Sequence, residues 1–310
     1  MLDIPVAFLI FNRPGVTRRV FAEIARARPK RLLVVADGPR SADEAEKCVA
    51  ARSVIDQVDW DCEVLINFSD VNLGCKRRVS SGLDWVFEHC DGAIILEDDC
   101  LPSQAFFPYC AELLEKYRDD DRVMMISGNN FQFGRKHSPY SYYFSRYAHI
   151  WGWASWRMAW RRHDIWMSRW PSLRETSWLQ NLLDDPAAVR HFRETFDRTY
   201  DGQIDTWDYQ WTFTCWAHNG LTVLPNVNLV SNIGFGAEAT HTKVDIYGVA
   251  ELQVGKIETP LRHPPFVMQD KDADRFTFER LISKGTERPS LYRRVWRRLR
   301  NSVSSLAGGH

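Results

Sequence analysis

The sequence predicts an α/β protein with a mostly parallel sheet flanked by helices. Short apolar runs alternate with longer segments whose apolar residues recur at helical spacing, giving four strands separated by three helices up to Leu96. This order requires crossover connections, and therefore a parallel sheet with helices on both faces. The fourth run, Gly92–Leu96, passes directly into Glu97, Asp98 and Asp99, where the strand should end. Ligands of open α/β sheets collect at the carboxyl ends of strands, so these acids mark the candidate site.

The individual elements follow from apolar spacing and from turn residues. Strands are predicted at 5–11, 31–36, 62–68, 93–96 and 123–127, and helices at 16–28, 41–58, 76–89 and 102–117. Ser41 and Glu44 form a capping-box pattern at the start of the second helix. Later segments predict a strand at 140–144, a short helix at 160–162, a mostly helical excursion at 166–199, a helix at 205–218, and extended pieces at 221–224 and 226–230. Order is weak at 262–284, and 292–306 is a basic helix candidate with one apolar side.

Composition excludes several classes of protein. Lys plus Arg and Asp plus Glu both number 40, so overall charge gives no sign of a nucleic-acid partner. The seven cysteines include no CxxC pair, which argues against a zinc knuckle or a disulfide framework and fits a reducing compartment. The N-terminus lacks the pattern of a signal peptide, and no apolar run is long enough to span a bilayer. We therefore expect a cytoplasmic protein.

The three consecutive acids need a positive partner, because adjacent carboxylates repel one another and are costly to bury unpaired. A hard divalent cation that prefers oxygen ligands would satisfy them. A second interpretation remains open at this stage, since Asp99 would also serve as an N-cap for the helix predicted to begin near Ser103.

Two residues that follow the first and second strands are candidate nucleotide contacts. An acid at Asp37 can accept the imide N–H of uracil, and Arg13 can stack on a base or pair with phosphate. A turn aspartate and a surface arginine are the alternatives. The predicted third helix begins with three cations, Lys76, Arg77 and Arg78. Cations at the N-terminus of a helix are unfavourable by about 0.3–1 kcal/mol, so a phosphate or the acids would be a stabilising partner. The alternative is a solvated basic turn.

Acids and indoles later in the chain are candidates for the second substrate. Asp205 and Asp208 would share the first turn of a helix, either as ordinary dipole-favoured acids or as a general base beside indoles that raise its pKa. His241, in a small-residue loop, is a candidate metal or phosphate ligand or simply an exposed side chain. In Trp151-Gly152-Trp153 the glycine allows close backbone approach and the indoles could wall a pocket.

Taken together, these segments resemble the GT-A glycosyltransferases, and most closely the N-acetylglucosaminyltransferase I family. The most specific element is Ile94–Asp99 followed by Pro102, Phe106, Phe107 and Tyr109, which is similar to that family's strand, Glu-Asp-Asp and helix segment. The similarity extends to Asn12-Arg13, Asp37, Trp151-Gly152-Trp153, Trp207-Asp208 and the extended piece from Pro225 to Ser231.

The resemblance implies a nucleotide-sugar donor, Mn²⁺ or Mg²⁺ held chiefly by Asp99, and inversion at the anomeric carbon. It implies contacts to the donor nucleotide from Asn12, Arg13 and Asp37, and an acceptor side formed by Trp151, Gly152, Trp153 and Trp207. We further expect donor contacts from Lys76, Arg77 or Arg78 to phosphate and from Glu97 and Asp98 to the ribose. The family's catalytic base is the second acid of a Trp-Asp-Asp segment, a position that is Tyr209 here. Asp208 or Asp205 is therefore expected to act as the base.

We accordingly expect a metal-dependent inverting glycosyltransferase of surface polysaccharide synthesis. A GT-A (Rossmann-like) domain would cover residues 1–240, with a donor-binding half at 1–130 and an acceptor-side half at 140–240, and residues 241–310 would form a C-terminal extension. The donor is expected to be UDP-linked and the acceptor a glycan or a lipid-linked sugar. The basic C-terminal helix is interpreted either as a contact with an anionic membrane face or as a plain exposed helix. The alternatives are a sugar-nucleotide nucleotidyltransferase and a non-catalytic nucleotide-sugar-binding protein.

Overall fold

A computed structural model of the chain describes residues 1–235, 249 and 252–283. Its strands are β1 (Val6–Ile10), β2 (Arg31–Ala36), β3 (Glu63–Phe68), β4 (Gly92–Glu97), β5 (Cys100–Pro102), β6 (Val123–Ser127), β7 (Tyr142–Ser145), β8 (Trp153–Trp156), β9 (Leu221–Pro225) and β10 (Val230–Asn232). Its helices are α1 (Pro14–Ala27), α2 (Ala42–Arg52), α3 (Gly74–His89), α4 (Phe106–Lys116), α5 (Arg157–Trp160), α6 (Trp170–Leu173), α7 (Trp178–Leu182), α8 (Pro186–Tyr200), α9 (Asp208–Ala217) and α10 (Lys271–Thr277). A 3₁₀ turn at Ser53–Gln57 and a π-helical turn at Phe278–Ser283 complete the list.

Eight of the strands form one central sheet in the order β3-β2-β1-β4-β8-β6-β9-β7. Strands β3, β2, β1 and β4 are parallel, β8 is antiparallel to both β4 and β6, β9 is parallel to β6, and β7 is antiparallel to β9. Six strands therefore run one way and two the other. The predicted fold class, a mostly parallel sheet flanked by helices, is confirmed.

The parallel half forms because its strands are apolar throughout and its helices are apolar on one face. All five residues of β1 are buried, as expected for a strand covered on both faces. Helix α3 buries Val79, Leu83, Val86 and Phe87, a spacing that places them on one side. Each such side chain stabilises the fold by about 1.5–3 kcal/mol when removed from water. These contacts hold the carboxyl ends of the strands in place.

Strand β8 was not predicted, since its sequence was interpreted as a pocket-lining loop that continues into a helix. Residues Trp153–Trp156 pair instead with β4 and β6, and all four are buried. The run has no polar alternation to identify a strand, and its pairing partners are distant in sequence. Insertion of β8 separates β4 from β6 and turns the sheet into a mixed one.

The acids at the end of β4 do not lead directly into a helix. Strand β5 follows them and pairs with β10, so that α4 begins only at Phe106. The N-cap of α4 is Ala105, without a side-chain cap hydrogen bond. The alternative in which Asp99 caps this helix is therefore wrong.

The second predicted helix is shorter than expected and lacks the predicted capping box. It begins after Ser41 but ends at Arg52, before the 3₁₀ turn. The Ser41 side chain makes no cap hydrogen bond, and Glu44 accepts instead from Arg40 and Asn12. Charged partners outcompete the cap because they offer charge-assisted hydrogen bonds.

The segment 262–284 was expected to have weak order, but its described part contains α10, which packs against the outer strand β7. Asp274 on α10 is buried and accepts from Arg146 N at 2.9 Å, from Gln269 Nε2 at 2.8 Å and from the Ser145 hydroxyl. Gln132 Nε2 donates to Ala273 O at 3.0 Å. This part of the predicted extension thus packs against β7, the strand at one edge of the sheet. The proposed boundary at residue 240 and the basic helix at 292–306 lie outside the described residues.

Within the part of the chain that the structure describes, none of the helices combines the length and apolar character that crossing a bilayer requires.

Candidate active site

A cavity of about 530 Å³ opens at the carboxyl ends of β1, β2 and β4. The first turn of α3, the segment 205–208 at the start of α9, and Asn232, Gly234 and Phe235 complete its wall. Six acids line it, against three arginines: Asp37, Glu97, Asp98, Asp99, Asp205 and Asp208 against Arg13, Arg40 and Arg78. The cavity therefore brings together the acids that follow β4 and the two acids at the start of α9, Asp205 and Asp208.

Arg13 lies directly against the acidic stretch. Its Nη2 donates to Asp99 Oδ2 at 2.9 Å and also pairs closely with Asp98, whose carboxylate additionally accepts from Phe11 N at 3.3 Å. Parallel pairing of β1 with β4 produces this contact, because Arg13 and the acids then follow neighbouring strands. Arg13 was predicted to contact the nucleotide. The structure shows that two of the three acids already have a positive partner within the chain.

Glu97 is the acid without such a partner, and its pKa is raised to about 8. Burial is the largest cause, followed by the charges of Asp99 and Asp98, and Asp208 from before α9 raises it as well. Arg13 opposes the rise. Burial also raises the pKa of Asp98 to about 6, against the opposing effect of its ion pair with Arg13. The acids thus interact strongly enough that an added cation would be favoured.

Asp37 is buried, and both its carboxylate oxygens are occupied by protein donors. Oδ1 accepts from Gly38 N and Leu73 N, each at 2.9 Å. Oδ2 accepts from Asn72 Nδ2 at 3.0 Å and from Gly74 N at 3.1 Å. A carboxylate has about four acceptor positions, so a base that used Asp37 would have to displace one of these donors. Asp37 instead ties the end of β2 to the loop that begins α3.

The three cations predicted near a phosphate have different surroundings. Arg78 is 6% exposed and lines the cavity; its Nε donates to Ala36 O at 3.1 Å and its Nη2 to Asn67 Oδ1 at 2.8 Å. Lys76 Nζ lies 4.9 Å from the ring centroid of Trp166. Neither Lys76 nor Arg77 is among the residues that line the cavity. Of the three, only Arg78 is in a position to contact a ligand there.

The acids near α9 occupy the opposite wall from the strand ends. Asp208 is the first residue of α9, and its Oδ1 accepts from the Thr206 hydroxyl. Asp205 is exposed at the cavity, close to where a Gly74 side chain would begin. Trp207 lines the cavity but is 2% exposed, stacked on Trp153 at a centroid distance of 5.6 Å. The hydrogen bond from Thr206 fixes the orientation of Asp208, and the buried indole of Trp207 anchors the turn to the core.

Only one of the two tryptophans around Gly152 reaches the cavity. Trp151 lines it, and its backbone N–H donates to Asn129 Oδ1 at 3.0 Å. Trp153 is fully buried in β8, so its predicted acceptor-side position is not observed. Gly152 has φ +70°, and a Cβ there would lie 2.8 Å from Val230 Cγ2, so the position requires glycine.

The remaining predicted residues do not border the cavity within the described chain. Asn12 Nδ2 donates to Glu44 Oε1 at 2.9 Å and is not a lining residue. His241 lies outside the described residues. The structure adds Asn72, Cys75 and Gly234, of which Gly234 leaves no room for a Cβ beside Asp99. The Asn72-Leu73-Gly74 turn was the one sequence signal that could have identified part of this set.

Among the described residues, no group of three His, Cys, Asp or Glu side chains converges as a metal-ligand set. The carboxylates of the cavity outnumber its arginines, and carboxylate oxygens are the ligands that a hard divalent cation prefers. Asp99 is part-buried and shares only one of its oxygens with Arg13.

No protein-family model matches the sequence, and no curated protein matches it. Solved structures do match, at low identity. A 4-diphosphocytidyl-2C-methyl-D-erythritol synthase from Anaerococcus prevotii is 9% identical with a TM-score of 0.33, over 63% of this chain and 83% of its own. Mouse xyloside xylosyltransferase 1 is 12% identical with a TM-score of 0.33, over 71% and 84%. A cytidylyltransferase from Leptospira borgpetersenii is 10% identical with a TM-score of 0.33, over 63% and 73%. At TM-scores below 0.5, these similarities assign neither a reaction nor a substrate to this chain.

Proposed function

We propose that the chain is a metal-dependent, inverting glycosyltransferase of the GT-A type. It would move a sugar from a nucleoside-diphosphate sugar, preferentially UDP-linked, to a hydroxyl of a glycan or lipid-linked acceptor in surface polysaccharide synthesis. The observation that carries the proposal is the single cavity in which Glu97–Asp99, at the end of β4, meet Asp205 and Asp208. One group of acids suits a cation and a diphosphate, and the other suits the acceptor.

The donor would lie across the strand ends, with its base near β2 and β3 and its diphosphate near β4. Two strand spacings, about 10 Å, separate β2 from β4. Asp99 would hold the cation, and the diphosphate and water would complete the ligand set. When bound, the cation supplies charge neutralisation for the departing diphosphate. Arg13 pairs with Asp98 and Asp99 and holds both carboxylates in position.

On the acceptor side, Asp208 would accept the proton of the attacking hydroxyl. Its place at the first position of α9 and its hydrogen bond from Thr206 hold the carboxylate in one orientation. The acceptor oxygen would attack the anomeric carbon from the face opposite the nucleotide, which inverts the configuration there. Asp205, more exposed on the same segment, is the alternative base.

Binding is tested by thermal shift with UDP and other nucleoside diphosphates, with and without Mn²⁺ or Mg²⁺. We expect stabilisation by a nucleotide only when metal is present, and its loss in Asp99→Ala. Asp119→Ala, which removes an exposed acid outside the cavity, should respond as the parent does. A parent that responds to no nucleotide in a metal-dependent way, or an Asp99→Ala variant that responds normally, would refute the proposal.

Chemistry is tested by product analysis with a nucleotide sugar. Glycosyl transfer releases a nucleoside diphosphate, whereas a nucleotidyltransferase would form or consume pyrophosphate. Asp208→Asn should bind donor normally yet lose transfer by about 100-fold or more. If Asp208→Asn keeps the parent rate while Asp205→Asn loses it, Asp205 is the base.

A further inference from the structure

One amino group at the floor of the cavity has no protein partner. Arg78 is 94% buried, and its guanidinium is held by Ala36 O through Nε and by Asn67 through Nη2. Within the described chain, Nη1 donates to no acceptor, although Arg78 lines the cavity. Nη1 keeps access to solvent, so a ligand in the cavity can offer it the acceptor that the protein does not.

The surroundings of Nη1 suit the edge of a base better than a phosphate. Leu9, Val35 and Val79 also line the cavity and give it apolar surface, which suits a planar ring. Asp37 is close enough to act on the charge of Arg78, and a carboxylate there would repel a phosphate. The acids that suit a diphosphate follow β4, on the far side of β1 from Arg78.

The carboxylate of Asp37 cannot accept a hydrogen bond from an N–H of the base unless it gives up one from the protein. Asp37 already accepts four hydrogen bonds, from Gly38, Asn72, Leu73 and Gly74. This corner of the cavity therefore offers a donor and no vacant carboxylate acceptor. A base bound here is recognised through an acceptor on its ring.

We propose that Arg78 is a specificity-determining residue whose Nη1 donates to a ring carbonyl oxygen of the base in the donor nucleotide. Adenine has no ring carbonyl and is disfavoured. The imide N–H of uracil is not the group that Arg78 recognises. This inference rests on the proposed function, because it names the base class of the same nucleotide site.

The experiment changes the ligand atom and the protein group separately. Binding of UDP, 2-thio-UDP, 4-thio-UDP and ADP is measured by calorimetry in the presence of Mn²⁺, with the parent and with Arg78→Met and Arg78→Lys. Sulfur is a weak acceptor, so one of the two thio analogues should bind the parent about tenfold more weakly than UDP. In Arg78→Met, UDP and that analogue should bind with equal, weakened affinity. Arg78→Lys keeps the charge and should recover part of the preference.

Arg52→Met is the matched control. Arg52 also bonds backbone at this sheet edge, to Asp37 O at 3.1 Å and Ser69 O at 2.6 Å, but it does not line the cavity. It should retain the discrimination between UDP and the thio analogue. The ligand series on the parent needs no variant and is unaffected if Arg78→Met fails to fold.

The outcomes separate this inference from the proposed function. Metal-dependent UDP binding in which both thio analogues equal UDP, or in which ADP equals UDP, overturns the role of Arg78 and leaves the proposed function standing. Absence of metal-dependent binding by any nucleotide overturns both.

Discussion

The most informative substitution is Asp37→Asn, because the sequence and the structure assign different roles to this residue. The side chain is 7% exposed and accepts two backbone and one side-chain hydrogen bond from residues 72–74, besides one from Gly38 N. Asparagine replaces one acceptor oxygen with a donor, which would face Asn72 Nδ2 and Gly74 N. Two charge-assisted hydrogen bonds are then lost, at about 1.5 kcal/mol or more each. We expect the free energy of unfolding to fall by about 3 kcal/mol.

The measurement is urea denaturation at pH 7, followed by far-ultraviolet circular dichroism. Asp43→Asn, an exposed acid in the first turn of α2, serves as the control and should change stability by less than about 0.5 kcal/mol. If Asp37→Asn is as stable as the control but loses nucleotide binding, then Asp37 contacts ligand directly. That result would refute the view that it mainly ties the loop before α3 to β2.

Two further predictions concern stability elsewhere in the fold. Gly152→Ala should lower the free energy of unfolding by about 1–3 kcal/mol, because φ is +70° and Val230 leaves no room; a neutral result in a urea titration would contradict the required glycine. Burial lowers the pKa of His163 to about 4, so the unfolded chain takes up a proton below pH 6.5 that the folded chain does not, and the parent should lose about 2 kcal/mol more stability than His163→Phe between pH 7 and 5. If the urea midpoints of the parent and of His163→Phe fall by the same amount between pH 7 and pH 5, His163 is not the source of the pH dependence.

The parallel half of the fold could be predicted from local pattern, because each strand and helix there carries its own periodicity. The position of the acids followed from the same pattern, since strand ends in such a sheet share one edge. Strand β8 could not be predicted, because WASW is apolar without alternation and its pairing with β4 and β6 is entirely long-range.

The details of the site depended on contacts that no local pattern contains. Arg13 was expected to follow the first strand and contact the nucleotide, but its ion pairs with Asp98 and Asp99 depend on side-chain geometry between positions 85 and 86 residues apart. Trp153 and Trp151 are two residues apart with the same chemistry, yet one is in the core and the other at the cavity. Trp153 is the first residue of β8, whereas Trp151 precedes Gly152, whose φ of +70° breaks the extended backbone. The two indoles therefore take different directions, which could not be predicted before the start of the strand was known.

The small sheet of β5 and β10 has a consequence for the order in which the site forms during synthesis. Ile233 N donates to Asp99 O at 2.8 Å, and Asn232 pairs with Cys100, so the acidic turn is fixed by a segment more than 130 residues later. A nascent chain that has emerged only as far as β9 has every strand of the parallel half, but not the one that holds this turn. The geometry of the acidic turn is therefore completed late, when β10 docks, and a partly synthesised chain holds its acids in an unfinished arrangement.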